Sequence, residues 1–68
     1  MPQNRLKELR TEQGLSLDQL AQRLDPPVVA STVHRWETGE HEIPLKRREQ
    51  VAEVLSCSVA FLMGWDSV

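Results

Sequence analysis

A single cysteine, Cys57, leaves this chain without the means to form an internal disulfide. Its two histidines do not join that cysteine in any zinc-ligand spacing. No apolar run approaches the length of a membrane span, and the N-terminus lacks a signal-peptide pattern. The charge shows no strong bias either: eight Lys and Arg stand against ten Asp and Glu, a net charge of −2. A nonspecific nucleic-acid binder would be basic overall, so that class is disfavoured, although a local positive face stays compatible. No Ser/His/Asp, Cys/His or paired-carboxylate set is identifiable from spacing, and 68 residues leave hardly any room for a pocket. Together these absences suggest a soluble cytoplasmic domain that is not an enzyme and uses no metal or cofactor. The whole chain, residues 1–68, reads as one small domain near the lower limit for a core without cross-links.

What the chain does have is helical periodicity. Leu17, Leu20, Ala21 and Leu24 recur at the spacing of one helix face, and Ser16 with Gln19 forms a capping-box signature before it. Asp25-Pro26-Pro27 then forbids continuation, because a residue before proline is pushed out of the helical region. The spacing predicts that this helix stops by Asp25 and that the next begins between Val29 and Thr32. At about 100° per residue, Val29, Val33 and Trp36 share an apolar face, and Ser31, His34, Arg35 and Thr38 share the opposite, polar one. Before this pair, Leu6 and Leu9 mark a helix running to about Gln13, with Pro2 tolerable in a first helical turn and Gly14 as its left-handed stop. After it, Leu45, Val51, Ala52 and Leu55 mark a fourth helix from about Leu45 to Leu55. Ser58 is placed to cap a short fifth one carrying Val59, Phe61 and Leu62. The expectation is an all-α domain of five helices.

The ordered combination NRLKELRTEQGLSLDQLAQRL, then STVHRWETGE, resembles the lambda-repressor-like helix-turn-helix family of the Cro/cI, or xenobiotic-response-element, type. The likeness runs from about Asn4 to Leu62. It implies a compact five-helix DNA-binding domain whose second and third helices form the helix-turn-helix. The implied function is that of a transcription regulator, a repressor above all, with the third helix in the major groove of double-stranded DNA. It also implies a homodimer on a two-fold operator, since one helix reads only a few base pairs. Relatives commonly pair an arginine of the first helix with the glutamate ending the third, which here means Arg10 with Glu37. Two departures stand out. Leu17 occupies a position where many relatives carry a phosphate-contacting glutamine, so only its backbone N–H, next to the cap Ser16, could serve an anion. Relatives also have a shorter turn with a left-handed glycine, which Asp25-Pro26-Pro27 lacks, and that bears on the angle of the third helix.

Candidate contacts follow with their alternatives. Arg35 can present a planar guanidinium to the N7 and O6 edge of guanine, or can join a surface ion pair with a nearby acid. Ser31 and Thr32 can reach bases or phosphates, or can serve as helix caps. His34 and Thr38 share that outward face, where His34 reads as a solvated surface residue in preference to a switch or a ligand, and Glu40 and Glu42 beyond them would repel phosphate. Lys46, Arg47 and Arg48 crowd the start of the fourth helix, where positive charge opposes the helix dipole by about 0.3–1 kcal/mol each. For Lys46 and Arg47 that placement suggests phosphate contact, with simple solvation as the alternative. Arg48 falls on the apolar side, so its stem would lie along the core. Cys57 reads as a small filler of the turn. Trp65 is surplus to a core that Trp36 and Phe61 help fill. It folds back as a lid, or joins Phe61 and Leu62 in a dimer contact. A protein-interaction module on the same fold, antitoxin-like or regulator-binding, is the alternative function.

Overall fold

The computed structural model describes residues 4–65. Pro2, expected in a first helical turn, lies outside them. Five helices follow one another: α1 (Leu6–Glu12), α2 (Leu17–Gln22), α3 (Ala30–Thr38), α4 (Leu45–Val54) and α5 (Val59–Met63). No strand occurs among the described residues, so the all-α expectation holds.

Each helix ends for a local reason. At α2, Ser16 Oγ accepts from the Gln19 N–H while Gln19 Oε1 accepts from the Ser16 N–H, the reciprocal capping box. At α5, Ser58 Oγ accepts from the Phe61 N–H at 3.0 Å. Helix α3 ends at Gly39, whose φ of +83° is a left-handed conformation that costs glycine little. Helix α2 is over by Gln22, ahead of the Asp25-Pro26-Pro27 link, and α3 begins at Ala30.

The core is one cluster drawn from every helix. Leu6 and Leu9 come from α1, Leu20 and Ala21 from α2, Val33 and Trp36 from α3, Val51 and Ala52 from α4, and Leu62 from α5. Leu15, Leu24, Ile43 and Leu55 fill it from the connections. Backbone and side-chain bonds then tie the helix ends together. The Arg5 N–H donates to Leu62 O at 2.8 Å, and Asn4 Nδ2 donates to Trp36 O at 3.1 Å. Gln13 Nε2 donates to Leu55 O at 2.8 Å.

Two apolar assignments need correction. Val29 is 64% exposed, because it is the extended residue before α3 (φ −82°, ψ 153°) and so lies outside the helical phase; the neighbouring Val28 packs on the core instead. Leu45 is 68% exposed, because side chains lean towards a helix N-terminus and the first-turn Leu45 overhangs the end of the core. Ile43, 1% exposed, is buried in the same segment.

Candidate nucleic-acid interface

Helix α3 is held from behind. Its face towards the core carries Val33, Trp36 and Glu37, all buried. Arg10 reaches from α1 to meet Glu37: Arg10 Nε donates to Glu37 Oε2 at 2.6 Å and Nη2 to Oε1 at 3.3 Å. Arg10 Nη1 donates further to Leu15 O at 2.7 Å, which connects α1, the α1–α2 turn and α3 through one guanidinium. The two side chains keep only 11% and 3% of their exposure, so this is a buried, bidentate pair.

The opposite face of α3 looks outward. Ser31, His34, Arg35 and Thr38 are all exposed, and Thr32 is half-buried in the first turn. Val29, not Ser31 or Thr32, is the residue at the cap position, so neither hydroxyl is consumed as the N-cap. Arg35 Nε lies 3.8 Å from Glu40 Oε2 in a loose pair in which both side chains are largely exposed. Thr38 Oγ1 donates to Arg35 O at 3.2 Å and accepts from the Glu40 N–H at 3.3 Å, which folds the end of α3 back on itself. Arg35 therefore has an acidic neighbour that competes for its guanidinium.

The basic first turn of α4 divides into three different situations. Lys46 is exposed and makes no hydrogen bond or ion pair among the described residues. Arg47 is half-buried, and its Nη1 donates to Pro26 O at 2.7 Å and to Gln50 Oε1 at 2.8 Å. That engagement ties Arg47 Nη1 to the α2–α3 link, a role that the run of basic residues did not suggest. Arg48 Nε donates to Ile43 O at 2.8 Å, and its guanidinium carbon stands 5.6 Å from the centre of the Trp65 ring. Ser16 is exposed with its hydroxyl used as a cap, and Leu17 is half-buried against the core, so only its backbone N–H faces the helix start.

The C-terminal segment sorts its three aromatic and apolar candidates. Leu62 is wholly buried, which corrects its expected place in a dimer contact: α5 turns it inward as a core residue. Phe61 is 38% exposed and lies under Arg5, whose guanidinium carbon is 4.2 Å from the ring centre. Trp65 is 61% exposed, so it is no lid over the core. Cys57 is a half-buried filler packed against the core, and burial pushes its thiol up from its ordinary value.

Asn4, Gln13 and Gln50 are structural residues that pattern reading missed. Each bonds a backbone oxygen between 25 and 42 positions away, and no local periodicity marks such bonds. Among the described residues no group of three His, Cys, Asp or Glu side chains could hold a metal ion, and no helix is long and apolar enough to cross a membrane.

Neither the curated proteins nor the solved structures compared with this chain contain a match. A sequence model of a helix-turn-helix family does match, over residues 6–62, which takes in every one of the five helices except the end of α5. The outward polar face of α3, braced by α2 and by the Arg10–Glu37 pair, lies within that match, and the chain belongs to the Cro/cI-type helix-turn-helix family of DNA-binding transcription regulators.

Proposed function

We propose that this chain is a sequence-specific reader of double-stranded DNA that acts as a repressor, with α3 in the major groove and α2 bracing it across the backbone. One observation carries the reading. Ser31, His34, Arg35 and Thr38 stand together on the exposed face of a helix whose other face is locked by a buried ion pair. Such a helix presents hydrogen-bonding groups in fixed positions, which base-edge recognition requires. Arg35 is the base reader, while Lys46, exposed and without a partner among the described residues, supplies a phosphate contact. Leu17 offers its backbone N–H at the start of α2, which the Ser16 cap holds in place.

Selection of bound duplexes from a random pool tests the reading, followed by two variants on the selected sequence. Arg35→Ala should cost about 1–3 kcal/mol on that sequence and relax discrimination at one position per half-site, with the fold intact. Lys46→Ala should weaken all sequences alike and lower the salt slope by about 0.9. A parent that binds no duplex even at low salt would end the DNA reading. The acidic balance of the chain and the Glu40 carboxylate beside Arg35 would then favour a protein-interaction module on the same face.

A further inference from the structure

The link between α2 and α3 is chemically unusual because Pro26 and Pro27 have no N–H to donate. Two of its carbonyls are instead taken by side chains of α4. Gln50 Nε2 donates to Asp25 O at 2.7 Å, and Arg47 Nη1 donates to Pro26 O at 2.7 Å. Gln50 Oε1 accepts from Arg47 Nη1 at 2.8 Å and from the Asp25 N–H at 3.4 Å, so the two side chains form one network. They are three residues apart on α4 and therefore neighbours on its surface. Beyond the link, the Val28 N–H returns to α2 by donating to Ala21 O at 3.2 Å. The segment from Asp25 to Pro27 is thus exposed, lacks two of its own donors and is fastened to the body of the protein through α4.

We propose that Arg47 and Gln50 are positioning residues: a latch from α4 that holds the Asp25-Pro26-Pro27 link and thereby sets the direction in which α3 leaves it. The core contacts of Val33 and Trp36 decide which face of α3 is buried. The latch decides how the N-terminal half of α3, which bears Ser31 and Thr32, is tilted away from α2. Arg47 Nη1 serves both the Pro26 carbonyl and the Gln50 amide oxygen, so a single nitrogen at the end of a long side chain closes the network.

Residual dipolar couplings of the free protein test the latch without DNA. In Gln50→Ala and in Arg47→Ala, all five helices should persist while the couplings of α3 report a changed orientation relative to α1. Unchanged α3 couplings in both variants would overturn the proposal, and if one variant fails to fold the other decides. A second arm rests on the DNA reading above. On the selected duplex, Gln50→Ala and Arg47→Ala should each lose roughly tenfold in preference over random duplex, with an unchanged salt slope. Arg47 acting as a phosphate contact would give a different pattern: Gln50→Ala like the parent, and Arg47→Ala weaker on every duplex with a slope lower by about 0.9. A parent that binds no duplex would sink the DNA reading alone, since the couplings still judge the latch.

Discussion

Among the described residues Glu37 is the charged side chain that the core admits, at 7% exposure, and Arg10 is what makes that tolerable. Burying a carboxylate costs several kcal/mol unless its charge and lone pairs are matched, and here both oxygens accept from one guanidinium. No buried side-chain nitrogen or oxygen among the described residues lacks a partner. Removing either member should therefore be severe: Arg10→Ala or Glu37→Ala is expected to cost about 3–5 kcal/mol in urea unfolding. Replacing both with methionine should cost much less than the two losses summed, because no stranded charge remains. Single variants with the parent's midpoint would show that the pair contributes nothing. Arg35 shows the contrasting case of an exposed pair. Its separation of 3.8 Å from Glu40 and the openness of both side chains limit their attraction to about 0.2–1 kcal/mol. Glu40 also places a negative charge where phosphate would approach. Glu40→Gln should tighten binding to every duplex alike, by up to about 1 kcal/mol, and leave stability unchanged. Titrations of selected and random duplexes check this; weaker binding to either would mean that Glu40 holds Arg35 in its reading position.

The helices themselves were legible because their signals are local. Ser16 with Gln19 and Ser58 before Val59 each mark a start that the structure has, and Asp25 before Pro26 sets a limit that α2, ending at Gln22, respects. The polar face of α3 was legible for the same reason, since Ser31, His34, Arg35 and Thr38 obey one helical period inside one helix. Faces failed where a residue sat at or beyond a helix end. Val29 belongs to the extended approach to α3, and Leu45 to the overhanging first turn of α4, so an angular count alone misplaces both. Charge followed a different logic. Lys46, Arg47 and Arg48 look alike in sequence, yet one is solvated, one fastens a turn 21 positions away and one lies along the core end beside Trp65. Which of them is spare depends on tertiary partners, and a run of basic residues carries no record of those. The Arg10–Glu37 pair was anticipated through the family resemblance; neither residue's local spacing points to the other.

At the scale of the whole molecule, the proposed DNA reading implies assembly, because one reading helix on a small domain would be too little for selective regulation. A single α3 spans only a few base pairs, and two copies related by a two-fold axis would double the half-sites read. The surface for that contact has to be apolar, exposed and away from the outward face of α3. Phe61 and Trp65 meet the first two conditions, and each has a guanidinium, Arg5 or Arg48, beside its ring. With Leu62 turned inward, the dimer contact proposed through Phe61 and Trp65 would be narrow, and so weak in free solution and strengthened when two copies occupy one operator. Binding the second copy beside the first turns a bimolecular encounter into a local one. Trp65→Ala should then leave the unfolding midpoint close to the parent's, because an exposed ring supports little of the core. It should abolish cooperative binding to a two-half-site duplex while leaving affinity for a single half-site unchanged. Sedimentation with and without DNA, together with gel-shift titration of both duplexes, reads the two effects separately. An unchanged cooperativity with an unchanged midpoint would assign Trp65 no part in assembly, and a lowered midpoint would mean that the ring supports the fold through Arg48.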